Sequence, residues 1–424
     1  MDINAGRYLD GEPMETLAAE SFALTLETAS GRKTKGEHAG HSQVSLWRNW
    51  PQTDSSRLCE LRAQVAPDGV PLIGATTSPA ANAKIPPLRI FRTETGFATE
   101  RVGLVLPTSL CSSQVSRLAA ERLNEKQLGR AQGISRFVAL PHTEGCGASG
   151  ESLFRMLGRS YRGYLTHPNV AAALLLEHGC EKITNDVMRG ELEAGGVAPA
   201  RFGWASVQLD GGIAKALDKI EGWFAGKLVG LPPTTSVLTD LGALTVGLMT
   251  DAPVGKATAE ALASVTRTIV NRGGSVLISE RDALLINLSF RREVLASIFP
   301  HATLAYGQTF LQHGLHIIAS ETDHWVENLV GLGACGAHLV LTVIKGHLRQ
   351  GHPLLSVIQV AESAERALLA AEDIDLVLTD NANQDARALE NLLIAVAERK
   401  RTPVANALGL VDFQFTRGSL GVTS

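Results

Sequence analysis

Several protein classes are excluded by what this chain lacks. No apolar run reaches the roughly 18–20 residues that a membrane-spanning helix needs. The start, Met1-Asp2-Ile3-Asn4, has neither the charged nor the apolar region of a secretory signal. Charge of one sign is scarce: 39 Lys and Arg stand against 43 Asp and Glu, a net charge of −4. That balance gives no reason to expect nucleic acid or an anionic membrane as partner. Cysteine is sparse as well. Five of them, an odd number without C-x-x-C spacing, make no disulfide framework and suit thiols or metal ligands in a reducing cytoplasm. Aromatics are 5% of the chain while glycine contributes 41 residues, a balance that fits a turn-rich α/β protein.

A length of 424 residues exceeds what one core supports, so two or three domains are expected. Residues 1–56 read as a separate amino-terminal segment with a helical apolar rhythm (Leu17, Phe22, Ala23, Leu26) and a basic turn, Arg32-Lys33-Thr34-Lys35. Residues 57–88 hold Pro67, Pro71, Pro79, Pro86 and Pro87 and read as a linker. From 89 to 231 apolar strands alternate with helical stretches, and a second such alternation runs from 232 to 424. The expectation is therefore two successive parallel-sheet α/β domains. A faint internal repeat relates the opening Met1-Asp2-Ile3, helix and basic turn to Ile374-Asp375-Leu376, a helix and Arg399-Lys400-Arg401. Chance similarity of two amphipathic segments is the alternative.

Three expected strands, 104–111, 137–142 and 172–178, each run into a cysteine in a polar turn. The runs are Leu106-Pro107-Thr108-Ser109-Leu110-Cys111, Pro141-His142-Thr143-Glu144-Gly145-Cys146-Gly147 and His178-Gly179-Cys180-Glu181. In an open parallel sheet the carboxyl ends of the strands share one edge and form the ligand crevice. Three thiols, two histidines and nearby carboxylates would then gather from segments about 35 residues apart.

At these residues the chain resembles the altronate/galactarate dehydratase family, sugar-acid lyases that include the large subunit of a sulfolactate sulfo-lyase. His167-Pro168-Asn169-Val170 supports the match. Residues 1–49 resemble the carboxyl-terminal end of the same family through Met1-Asp2-Ile3-Asn4-Ala5-Gly6 and Thr28-Ala29-Ser30-Gly31-Arg32-Lys33-Thr34. Two departures stand out. Gly247-Leu248-Met249-Thr250-Asp251-Ala252-Pro253 replaces a glycine-rich segment with a Gly-Gly-Ser-Asp core. The turns at Ser320–Trp325 and Val343–His347 replace Asp-Thr-Pro-Gly and Thr-Gly-Arg-Gly. A degenerate second copy, preceded by the tail of a first and cut from a longer fused chain, would explain both.

The resemblance implies a cytoplasmic hydro-lyase that converts a sugar acid into a 2-keto-3-deoxy acid. It also implies a divalent metal, Fe2+ or alternatively Mn2+. The metal ligands are expected among Cys111, His142, Cys146 and Cys180, with a three-cysteine iron–sulfur cluster as the other arrangement. His142, Glu144 and Glu181 are the candidate catalytic groups, because elimination needs a base for the proton and an acid for the leaving hydroxyl. Thr143, Gly145 and Gly147 at a helix start, with Arg32 and Lys33, are the candidate substrate-carboxylate contacts. The bland alternatives are small cysteines packed under strand ends, a turn-capping histidine and solvated charges. His313, His316, His324, Glu321 and Asp323 read as an incidental histidine-rich loop. A homo-oligomer or a complex with an intact family member is the expected assembly, and a non-catalytic copy scaffolding such a member, or a sulfolactate-type sulfo-lyase, is the competing expectation.

Overall fold

The structure is a computed structural model that describes residues 8–9, 12–13, 86–94, 96–146, 150–231, 235–295, 298–367 and 371–417. The helical segment expected from Pro13 to Thr28 (apart from Pro13 itself), Arg32, Lys33, Cys59, Gly147 and nearly all of the linker lie outside the described residues. A short antiparallel pair, β1 (Tyr8–Leu9) and β2 (Glu12–Pro13), stands before them.

Two parallel sheets carry the fold, as the alternating apolar and amphipathic segments lead one to expect. The first has strands β5 (Val102–Pro107), β6 (Arg136–Ala139), β7 (Val170–Glu177) and β8 (Gly203–Ser206) in the order β6-β5-β7-β8. Every residue of β5 is buried, as a strand covered on both faces requires. Helices α1 (Leu110–Glu125), α2 (Glu151–Leu165) and α3 (Asn185–Ala194) make the crossovers, and α4 (Ile213–Val229) follows β8. Val115, Ala119, Ala120 and Leu123 form the buried stripe of α1, at the three-to-four-residue spacing of one helical face.

The second sheet contains β10 (Thr245–Thr250), β11 (Ser275–Ser279), β12 (Leu315–Ile318), β13 (Leu339–Ile344), β14 (Ser356–Ala361) and β15 (Leu376–Val377). Its order is β12-β11-β10-β13-β14-β15, so the winding reverses between β10 and β13. Such a reversal opens a crevice at the strand ends of a doubly wound sheet. Here the chain's own side chains fill it. Arg349 Nε lies 3.3 Å from Asp251 Oδ2, Glu362 accepts from the Gly255 N–H, and Asp282 takes the Thr250 hydroxyl at 2.7 Å. The replaced glycine-rich segment runs through this place.

A small antiparallel sheet that the sequence reading does not anticipate joins the two units. Its strands are β3 (Leu88–Arg92), β4 (Phe97–Ala98) and β9 (Ser236–Thr239), in the order β4-β3-β9. The helix Trp325–Ala334 was also not anticipated, because an almost wholly apolar run shows no amphipathic period. It packs on α2 so closely that a Cβ on Gly163 would lie 2.0 Å from the Ala334 carbonyl oxygen. One core cluster therefore spans both units, from Tyr161, Tyr164 and Leu175 to Leu329, Val340, Phe413 and Phe415. Polar pins reinforce it: His167 Nε2 to Ala337 O at 2.9 Å, Asn169 Nδ2 to His338 O at 3.1 Å, and the Tyr164 hydroxyl to Val330 O at 2.8 Å.

Candidate metal and substrate site

The three turns that follow β5, β6 and β7 meet at one edge of the first sheet. Their cysteine sulfurs meet with them. Cys111 Sγ lies 3.5 Å from Cys146 Sγ, and the sulfurs of Cys111, Cys146 and Cys180 all fall within 4.8 Å of one another. Cys111 and Cys180 are exposed, whereas Cys146 is half-buried. Shared hydrogen bonding with Cys146, then burial and the neighbouring Cys180, pushes the Cys111 thiol up to about 12.

Glu181 locks two of the turns together. Its Oε1 accepts from the Thr108 hydroxyl at 2.7 Å, the Ser109 hydroxyl at 3.0 Å and the His178 N–H at 2.7 Å. Its Oε2 accepts from the N–H groups of Gly179 at 2.6 Å and Cys180 at 2.8 Å. Burial pushes this carboxyl up, but the Thr108 hydroxyl and the backbone donors outweigh it and hold it below the ordinary range. With five donors on it, Glu181 fixes where Cys180 sits relative to α1. Ser109, two residues before Cys111, is also the N-cap of α1, within a capping box with Ser112.

The third turn is held by backbone. Leu110 N donates to Glu144 O at 3.1 Å and Lys182 N to Gly145 O at 3.4 Å. Gly145 has φ +104°, and a Cβ there would lie 2.2 Å from the Thr108 carbonyl oxygen, so only glycine lets the turn close. Cys146 follows directly.

The remaining expected residues sit differently. His142 is buried, and both ring nitrogens are engaged. Nδ1 accepts from the Glu144 N–H at 3.2 Å, while Nε2 lies 3.0 Å from Pro107 O and 3.1 Å from the Tyr161 hydroxyl. Burial is the main cause that pushes it down to about 4. The expected metal ligand or base thus bridges β5 and the turn after β6 through both ring nitrogens. Glu181, the other expected proton-transfer group, is likewise engaged, by five donors. Glu144 is buried, and its described hydrogen bonds all fall on Oε1, from Thr143 Oγ1 at 3.1 Å, Gln414 Nε2 at 3.3 Å and Arg417 Nε at 2.7 Å.

Arg417 and Gln414 were missed by sequence reading. They come from the strap after α10 (Val404–Ala407), 273 residues from Glu144 in the case of Arg417. Phe413 and Phe415 anchor that strap. The Phe415 ring lies 4.9 Å from the His142 ring and 5.1 Å from the Tyr161 ring. The alternation Phe413-Gln414-Phe415 was the available signal, since it sends two rings inward and an amide outward.

His178 opens the turn that follows β7. With Cys180 and Glu181 it makes a second group of ligand atoms within 4.8 Å of one another. No such group forms from His313, His316 and His324 among the described residues. His316 stacks on His301 at 4.7 Å, and His324 begins the helix Trp325–Ala334.

Fold and site together define a two-unit α/β protein with a thiol-lined strand-end crevice. Residues 92–226 match the family described as D-galactarate dehydratase/Altronate hydrolase, second domain. Residues 1–52 match D-galactarate/Altronate dehydratase, C-terminal. These two matches support membership of the altronate/galactarate dehydratase family. No curated protein matches the chain. Among solved structures, Acinetobacter baumannii MurG has 10% identity and a TM-score of 0.20, covering 74% of this chain and 99% of its own. A carbon monoxide dehydrogenase from Thermococcus sp. AM4 has 9% identity and a TM-score of 0.21, covering 92% of this chain and 80% of its own. Likenesses this slight carry no argument about function. No helix among the described residues is long and apolar enough to cross a membrane.

Proposed function

We propose that the chain is a metal-dependent lyase that dehydrates a sugar acid of the altronate or galactarate type to a 2-keto-3-deoxy acid. One observation carries this reading: three sulfurs from three different strand ends lie within 4.8 Å of one another. A tetrahedral ion with metal–sulfur bonds of about 2.3 Å would set its sulfurs about 3.8 Å apart, so the spacing fits one shared ion. It favours that over an iron–sulfur cluster, where each cysteine holds a different iron. Three soft ligands select iron or zinc over manganese, and Fe2+ is the ion we assign.

Cys111, Cys146 and Cys180 would hold the ion, which when bound supplies positive charge where an enolate develops. Elimination passes the proton of the carbon beside the carboxylate to the Glu144 carboxylate and breaks the C–O bond on the next carbon, whose hydroxide leaves as water with that proton; the enol then becomes the ketone. Glu181 keeps two cysteine turns in register. Glu144, two residues before Cys146, is the carboxyl placed to hand a proton to the departing hydroxyl. Thr143 steadies it.

Turnover tests the proposal. Anaerobically purified, iron-loaded protein incubated with a panel of hexonates and hexarates is expected to give a keto-deoxy product trapped by semicarbazide, and the Cys146→Ala variant none. No product from any acid in the panel would overturn it.

A second reading is favoured by the filled crevice of the second sheet, where Arg349, Glu362 and Asp282 occupy the strand ends. On that reading the chain scaffolds an intact family member. It predicts a stable complex with such a member and no iron of its own.

A further inference from the structure

We propose that Arg417 is the anchor for the substrate's carboxylate, reached by exchange of its guanidinium from Glu144 to the incoming acid. The inference rests on the dehydratase reading for the substrate class, but its geometry is independent of the metal.

A sugar acid needs a cation to fix its carboxylate, and guanidinium offers five donors in a planar fork that matches carboxylate geometry. Among the described residues, Arg417 is the cation that bonds to the turn 142–146, through Nε to Glu144 Oε1 at 2.7 Å. Its side chain is 37% exposed while that of Glu144 is 4% exposed, so the fork reaches from a covered carboxylate toward solvent. Lys182 joins the same turn only through its backbone N–H. Arg155 is turned to Glu151 and Arg159 to the Tyr306 carbonyl, so neither faces Glu144.

The neighbourhood is the reacting one. Tyr161, whose hydroxyl is 3.1 Å from His142 Nε2, is pushed well above the ordinary range by burial and then by Glu144, Glu181 and Cys146 together. All three therefore lie within electrostatic reach of one hydroxyl. Arg417 on Glu144 stands beside the cysteine cluster. The strap is fixed by Phe413 and Phe415, which pack on His142, Tyr161 and Tyr164, so the arginine can change partner without the strap leaving its place. Gln414 is a second hand: its Oε1 takes the Thr143 N–H at 3.3 Å and its Nε2 reaches Glu144.

The test is equilibrium binding by titration calorimetry on the full chain, with galactarate, altronate and the uncharged polyol galactitol as probes. Arg417→Ala should weaken both anions at least about tenfold, the loss expected of a charge-assisted hydrogen-bonded pair, and leave galactitol unchanged. Arg417→Lys should fall between. Glu144→Gln, which frees the guanidinium, should bind the anions at least as tightly as the parent. Circular dichroism and melting of each variant separate a lost contact from a lost fold. Unchanged anion affinity in a folded Arg417→Ala variant overturns the anchor. So does equal weakening of galactitol, or failure of the parent chain to bind either anion. Lost anion binding in Arg417→Ala, with no keto-deoxy product from the parent chain, keeps the anchor and removes the dehydratase reading. Product formed by parent and variant at the same KM does the reverse.

Discussion

Cys111 Sγ and Cys146 Sγ lie 3.5 Å apart although 35 residues separate them, and neither belongs to a short cysteine motif. Their approach follows from topology: β5 and β6 are parallel neighbours, with Val102 opposite Arg136 and Val105 opposite Ala139, so the turns beyond them leave the sheet side by side.

That approach predicts an oxidation product. In metal-free protein, peroxide should join these two sulfurs: each thiol loses one hydrogen, and the peroxide becomes two waters. Peptide mapping should find the Cys111–Cys146 link, and Cys146→Ser should abolish it. Iron loaded beforehand should slow the reaction. Oxidation that leaves both thiols free would contradict the proximity of the two sulfurs.

Glu181, a buried carboxylate, should matter for stability. Glu181→Ala strands two hydroxyls and three N–H groups, a loss of about 3 kcal/mol or more. Urea melts measure this, and metal content should fall with it because the cysteine turns lose their register. A variant as stable as the parent would refute the role.

Acid should unfold the chain early. His142 and His167 are pushed down to about 4 and His338 to about 3, burial being the largest cause in each. A native state that keeps these rings neutral binds fewer protons than the unfolded chain once pH drops below about 6.5. Stability is therefore full above that value and is lost as pH falls toward 4, at about 1.4 kcal/mol per pH unit for each histidine. His167 and His338 sit at the joint between the units, so the units should come apart in the same transition. Denaturant midpoints that stay flat between pH 7 and pH 5 would exclude this.

Much of this architecture is legible in the chain. The apolar strand runs and the amphipathic crossovers declare a parallel α/β fold, because strands covered on both faces must be apolar throughout. The placement of Cys111, Cys146 and Cys180 on one edge follows from the same pattern. What stays hidden is how side chains spend their hydrogen bonds. His142 and Glu181 carry the residue types of catalysis, yet a nearby carbonyl, hydroxyls and backbone N–H groups claim them. Only the fold decides that. Arg417 is hidden for another reason: its partner lies 273 residues away, and no local rhythm marks a contact of that range. The strands Leu88–Arg92 and Ser236–Thr239 escape reading because they pair across the whole first unit.

X-ray absorption at the iron edge of anaerobically loaded protein tests the central claim most directly. The account predicts three sulfur neighbours at about 2.3 Å, falling to two in any single variant among Cys111→Ser, Cys146→Ser and Cys180→Ser. Iron surrounded only by oxygen or nitrogen, with the same spectrum in all three variants, would contradict it.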